Sequence, residues 1–122
     1  RVTSTQRDPF GRWCSATLTG QNSKDIRIYS AYQCVEADID HIGPNTYYAQ
    51  LWRLLRDKVN RYPQPRRRFI NDLHEELTTT KRNNLSLIVV GDFNESIGTD
   101  PALMASICSS IGMSDAVEHS HP

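Results

Sequence analysis

Residues Leu85 to Glu95 read Leu-Ser-Leu-Ile-Val-Val-Gly-Asp-Phe-Asn-Glu, and this stretch decides how the chain is expected to fold. It contains a short apolar run from Leu87 to Val90 that is rich in β-branched residues. A run of that length and character predicts a strand buried on both faces. Gly91 ends the run, because glycine supplies a backbone that can turn sharply or lie close to a ligand.

Two polar side chains follow this strand. In an extended segment, residues two apart point to the same side, so Asp92 and Asn94 are expected to leave a central strand together, into the crevice where open α/β sheets bind ligands. The carboxylate can hold a hard cation or take a proton from water, and the carboxamide can donate to a phosphate oxygen without adding negative charge. The same residues are ordinary turn formers, so the spacing alone leaves a ligand site and a turn as alternatives.

Length and charge limit the function classes. The chain has 122 residues, enough for one domain, and 14 basic residues balance 14 acidic ones. Because the net charge is zero, the protein has no overall electrostatic field that would attract a polyanion. Nucleic-acid binding would therefore depend on local clusters of charge. No apolar run approaches the roughly 20 residues that cross a bilayer, so no membrane segment is expected. Three cysteines without a CxxC predict free thiols in an intracellular compartment, nuclear or cytoplasmic.

The spacing of apolar residues predicts the remaining elements. In chain order they are a polar loop over 1–11, strands at 13–19 and 25–32 that pair antiparallel, helices at 46–61 and 66–81, the strand of 87–90, and a helix that starts at Asp100-Pro101 and stops at Gly112. This order predicts an α/β or α+β layered domain in which the helices cover one face of the sheet. A sheet of three strands is small and leaves its edges unpaired, so we expect an internal part of a larger domain.

Three features then coincide in one order. A strand ends in Ser30-Ala31-Tyr32, a helical stretch follows, and a second strand ends in Gly91-Asp92-Phe93-Asn94. In this order and spacing the chain resembles the endonuclease/exonuclease/phosphatase superfamily, the group of DNase I, the apurinic endonucleases and the endonuclease domains of non-LTR retroelements. Gly11-Arg12-Trp13 and Pro65-Arg66-Arg67-Arg68-Phe69-Ile70 are also similar to segments of many members. The resemblance covers nearly all of residues 1–122, as a partial domain that lacks its N-terminal and C-terminal portions.

The resemblance implies a phosphodiesterase that depends on Mg²⁺ or Mn²⁺, on a four-layer α/β sandwich of the DNase I type with about half of the domain present. Asp92 matches the carboxylate that positions or deprotonates the attacking water, and it would also be a metal ligand. Asn94 matches the amide that holds the scissile phosphate, and Tyr32 matches the tyrosine whose hydroxyl contacts that phosphate. These residue types suit the chemistry, because a cation must neutralise the charge of the phosphodiester and neutral donors stabilise its oxygens in the transition state.

The match is incomplete at both ends. The family's metal-binding Asn and Glu precede the matching region, and its closing Asp and His follow it, so the chain alone is expected to be inactive. The expected substrate is nucleic acid, as for a retroelement-type or apurinic-type endonuclease. A phosphoinositide or sphingolipid phosphatase of the same superfamily and a non-catalytic interaction domain that retains the fold remain alternatives. The sequence does not indicate the oligomeric state.

Basic residues gather around the joint of the first two predicted helices. They are Arg53, Arg56, Lys58, Arg61, Arg66, Arg67 and Arg68. Such a ridge could grip phosphates away from the cleavage site. The alternative, which we favour, is a solvated helix face.

Overall fold

The computed structural model describes residues 1–35, 46–56, 64–95 and 103–114. Within them the chain forms four strands and three helices around one mixed sheet. The strands are β1 (Val2–Arg7), β2 (Trp13–Thr19), β3 (Asp25–Tyr32) and β4 (Ser86–Asp92), and the helices are α1 (Tyr47–Arg56), α2 (Pro65–Arg82) and α3 (Leu103–Ile111). The protein is therefore a mixed α/β domain. None of the described helices is long and apolar enough to cross a membrane.

The four strands lie side by side in chain order. β2 pairs antiparallel with β3, with Cys14 opposite Ser30, which confirms the predicted antiparallel pair. β4 runs parallel to β3 and forms one edge of the described sheet, where a central strand was expected. β1 pairs antiparallel with β2 and forms the other edge, so the prediction of a loop throughout residues 1–11 is wrong. Every β1 residue is exposed, and no apolar alternation marks this strand in the sequence.

The hydrophobic core lies between the sheet and two helices. Tyr29, Ala31, Leu87 and Val89 point from β3 and β4 toward this core. The helices contribute Phe69, Ile70, Leu73 and Leu77 from α2, and Ile107 and Ile111 from α3. This packing confirms that the apolar stripes of the helices cover one face of the sheet, which we call the covered face.

The other face of the sheet is apolar and partly bare, and we call it the open face. Alternation and register place Ala16, Leu18, Ile26, Ile28, Ile88 and Val90 on it. Ile28, Ile88 and Val90 expose 36%, 46% and 51% of their surface. The prediction that the Leu87–Val90 strand is buried on both faces is therefore wrong for the described chain, because the helices pack against one side alone.

The helix boundaries follow local chemistry. α2 starts at Pro65, a residue suited to the first helical position, and ends at Arg82 with Asn83 as its C-cap, after which Asn84 adopts a left-handed φ of 59°. This agrees with the predicted helix and its asparagine cap. α3 ends where Gly112 takes a φ of 71°, as predicted. The predicted helical residues 57–61 and the predicted helix start at Asp100-Pro101 lie outside the described residues.

A buried polar network joins β3 to α2 beneath the sheet. The Tyr29 hydroxyl donates to a Glu76 carboxylate oxygen at 2.8 Å and lies 2.7 Å from the Thr80 hydroxyl. Arg27 Nη1 donates to the same Thr80 hydroxyl at 3.2 Å. These distances fit a chain of hydrogen bonds in which Arg27 donates to Thr80, Thr80 to Tyr29, and Tyr29 to Glu76. Each polar group of this network is therefore satisfied, as a buried polar group must be.

Candidate functional site

Two of the predicted site residues end neighbouring strands. Tyr32 is the last residue of β3 and Asp92 the last residue of β4, and the two are partners in the parallel register. Partners in adjacent strands present their side chains to the same side of a sheet. Alternation from Val90 places Asp92 on the open-face side, and alternation from Ile28 places Tyr32 there as well. A phenol and an exposed carboxylate thus stand side by side at the carboxyl ends of two parallel strands.

Gly91 has a different role from the one expected. Its backbone is outside the left-handed region, so it makes no sharp turn. A Cβ atom at this position would overlap the Ala31 carbonyl oxygen in β3. Glycine is therefore required by the close approach of the two strands, and this approach brings Tyr32 and Asp92 together.

The residues after Asp92 form a turn. The Asn94 backbone N–H donates to Asp92 Oδ1 at 3.0 Å, and Asn94 has a φ of 46°. This is the side-chain-to-backbone turn that Asp and Asn favour. Because the chain is not extended at Asn94, the period-two argument that paired its side chain with that of Asp92 is wrong. Phe93 anchors the turn by packing its ring 6.4 Å from that of Phe69.

The Asn94 carboxamide contacts the neighbouring strand end. Its Nδ2 donates to the Gln33 carbonyl oxygen at 2.6 Å, and the Gln33 backbone N–H donates to the Asp92 carbonyl oxygen at 2.9 Å. A carboxamide has two N–H donors, and this bond uses one of them. Asn94 is thus beside Tyr32 and Asp92, although its side chain reaches across the strand ends and does not run parallel to Asp92.

The Gly11-Arg12-Trp13 segment supports Tyr32 from the other side. The Tyr32 backbone N–H donates to the Arg12 carbonyl oxygen at 2.9 Å. The Arg12 guanidinium is buried, binds Asp8 at 2.7 Å and Asp72 at 2.8 Å, and lies over the Trp13 ring. A buried cation that is paired in this way fixes the loop before β2, and the loop fixes the end of β3.

Arg66 contacts both strand ends, which the sequence did not reveal. Its Nη1 donates to the Cys34 carbonyl oxygen at 2.5 Å and its Nη2 to the Asn94 carbonyl oxygen at 3.1 Å. One signal was present in the sequence: the first turn of α2 contains arginines and no acidic residue, although the positive end of a helix disfavours cations. Such a conflict indicates that the side chains have partners elsewhere.

Most described members of the predicted basic ridge contact protein groups. Arg53 donates to the Phe10 carbonyl oxygen at 3.2 Å, and Arg68 binds Asp72 at 2.9 Å. Together with Arg66 they hold loops and helices in place. These three arginines therefore form neither a phosphate-binding ridge nor a solvated helix face. Arg56 and Arg67 are exposed, and Lys58 and Arg61 lie outside the described residues.

Asp92 is the carboxylate at this edge of the sheet that could bind a cation. Glu95 lies nearby in sequence, but its two oxygens accept the Met104 backbone N–H at 3.1 and 3.2 Å, at the start of α3. Across the part of the chain that the structure describes, no group of three or more His, Cys, Asp or Glu could hold a metal. Mg²⁺ is commonly bound through one or two carboxylates, with waters and substrate phosphates completing its shell, so Asp92 suits a single ligand of such a site.

Comparisons with family models, with curated proteins and with solved structures found no match to this chain. The class that the fold and site define is a mixed α/β domain with a phenol, a carboxylate and a carboxamide at the ends of two parallel strands.

Proposed function

We propose that this chain contributes part of the active site of a metal-dependent phosphodiesterase that acts on nucleic acid. The observation that supports this proposal is the parallel register of β3 and β4, in which Tyr32 and Asp92 are partners at the strand ends. Asn94 lies two residues beyond Asp92 and bonds to the backbone of Gln33, the residue after Tyr32. The choice of nucleic acid rests on the resemblance described above.

Each residue has a role that its chemistry allows. Asp92 orients or deprotonates the attacking water, and its Oδ1 is held in place by the Asn94 N–H. Tyr32 donates a hydrogen bond from its hydroxyl to one phosphate oxygen, and Asn94 donates a hydrogen bond from its second amide N–H to another. When bound, Mg²⁺ or Mn²⁺ would neutralise negative charge on the phosphate, and Asp92 is the described residue that would hold it.

We also propose that the domain is a four-layer sandwich of the DNase I type. The open face supports this, because it carries aliphatic side chains at the positions where a second sheet would pack. Val90→Lys in the full-length protein should then lower the free energy of unfolding by about 2 kcal/mol or more, because it would bury an unpaired charge. Asn71→Lys, at an exposed position of α2 away from the open face, is the control. Equal stability of both variants would contradict a second sheet on this face.

The role of Asp92 is tested with Asp92→Asn in the full-length protein, assayed for plasmid nicking with Mg²⁺. We expect turnover to fall by about 10²-fold or more, because removal of a general base has that effect. Glu75→Gln, which neutralises an exposed carboxylate on α2, is the matched control and should nick normally. Near-normal turnover of Asp92→Asn would refute the role. Hydrolysis of a phosphoinositide or sphingolipid in place of DNA would instead identify the protein as a lipid phosphatase or phosphodiesterase.

A non-catalytic interaction domain is a second candidate, favoured by a specific observation. Asp92 Oδ1 and Asn94 Nδ2 both take part in internal hydrogen bonds that hold the turn. A turn that exists for structure alone would need the same two bonds. In that case wild-type protein would neither nick DNA nor hydrolyse lipid phosphates with either metal.

A further inference from the structure

We propose that Arg66 is a positioning residue that holds the Asp92–Asn94 turn against the end of β3, and so sets the orientation of the Asp92 carboxylate. Its place in catalysis rests on the proposed function. The structural role of Arg66, which is to fix the turn, can be tested without an activity assay.

The guanidinium of Arg66 joins two segments that are distant in sequence. Nη1 binds the carbonyl oxygen of Cys34, just past β3, and Nη2 binds that of Asn94, just past β4, at 2.5 and 3.1 Å. Both bonds are partly buried, where a carbonyl that loses its donor is costly. A planar guanidinium can bridge two acceptors in this way, whereas an ammonium is a point donor on a flexible stem.

The contact reaches the carboxylate through one residue. Arg66 binds the carbonyl oxygen of Asn94, and the N–H of the same Asn94 donates to Asp92 Oδ1 at 3.0 Å. Asn94 has a φ of 46°, a left-handed conformation that asparagine tolerates better than most residues and that its surroundings hold in place here. Arg66 and the bond from Asn94 Nδ2 to Gln33 provide that hold. The orientation of Asp92 therefore depends on a side chain of α2.

The three consecutive arginines of α2 differ in what they contact. Arg68 is paired with Asp72 one turn later in the same helix, at 2.9 Å. Arg67 is exposed. Arg66 instead binds the two carbonyl oxygens at the strand ends, although its position near the helix start disfavours a cation. This difference makes Arg67 a matched control for Arg66.

The catalytic test compares Arg66→Ala, Arg66→Lys and Arg67→Ala in the full-length protein. We expect both Arg66 variants to lose about 10²-fold in kcat, because a small misplacement of a reacting group has that effect, with KM changed by less than about twofold. Arg67→Ala should keep both constants. Guanidinium ion, compared with NaCl at the same ionic strength, should restore part of kcat in Arg66→Ala. A raised KM with normal kcat would show that Arg66 binds substrate directly and would overturn the positioning role. Restoration of full kcat by Lys would also overturn it.

The structural test uses amide hydrogen exchange in the same variants. The N–H of Asn94 should exchange at least about tenfold faster in Arg66→Ala than in wild type, whereas Ser15 in β2 should be unchanged. Unchanged exchange at Asn94 would overturn the inference. Faster exchange with normal kcat would overturn its catalytic part. If exchange accelerates but wild-type protein is inactive on every phosphodiester tested, the positioning of the turn stands and the proposed function fails.

Discussion

The two faces of the sheet are built from the same strands, yet the covered face is the more polar of the two. In β2, Ser15 and Thr17 are buried on the helix side, whereas Ala16 and Leu18 lie on the open face. In β3 the covered side carries Tyr29 in its polar network, and the open side carries Ile26 and Ile28. Hydrophobic content alone therefore does not reveal which face the helices cover.

The difference has a physical reason. The covered face can contain buried polar groups because α2 supplies hydrogen-bond partners for them, as Thr80 and Glu76 do for Tyr29. The open face has no described element packed against it, and its aliphatic side chains would gain the most from burial. Four expected outcomes test whether the two faces differ in this way.

The largest expected effect compares Leu77→Ala with Ile88→Ala in the 122-residue chain. Leu77 is fully buried, so its truncation should cost about 2–5 kcal/mol, whereas Ile88, which is 46% exposed, should cost less than about 1 kcal/mol. Urea unfolding measures both. Equal losses in this chain would mean that the open face is covered here. If the loss at Ile88 rises in the full-length protein, the proposed sandwich gains support.

A smaller effect is expected for Tyr29→Phe, which removes the hydroxyl bound to Glu76 and Thr80. The variant should lose about 1–3 kcal/mol at pH 7, because one bond is to a carboxylate and a buried hydroxyl loses its partner. Urea unfolding at a series of pH values measures the difference between the two proteins.

The same pair of proteins should show a pH dependence with a defined sign. Burial raises the pKa of the Tyr29 phenol above its ordinary value. The folded state therefore holds this proton more tightly than the unfolded state, and this contribution is complete below pH about 10 and is lost as the pH rises through the folded pKa. The stability advantage of wild type over Tyr29→Phe should narrow above pH about 10. An advantage that grows there would contradict the burial of this hydroxyl.

The smallest effect concerns reactivity and leaves stability unchanged. Cys14 is exposed on the open-face side, whereas Cys34 is buried, and burial raises the pKa of the Cys34 thiol. Since the thiolate is the nucleophile, iodoacetamide at pH 7.5 should modify Cys14 at least about tenfold faster, as mass spectrometry of peptides can show. The rates should converge in urea. Fast modification of Cys34 in the folded chain would mean that the end of β3 opens readily.

Local patterns in the sequence account for much of the fold. Apolar alternation located β2 and β3, and the 3.6-residue period located α2, because these signals reside in neighbouring residues. β1 was missed, since Val2–Arg7 has no such alternation and is a strand through its pairing with β2. The site divides in the same way. The resemblance grouped Tyr32 with Asp92, and the parallel register makes these two residues partners, whereas the period-two argument that paired Asp92 with Asn94 failed because the chain turns there.

Local sequence patterns are sufficient to locate β2, β3 and α2 and the polar residues at the ends of β3 and β4, because spacing and turn chemistry act over a few residues. The tertiary structure decided which face the helices cover, why Gly91 is a glycine, and that Arg66 binds carbonyl oxygens 32 and 28 residues away. Those features depend on contacts between segments distant in sequence, and no local pattern records which distant groups will meet.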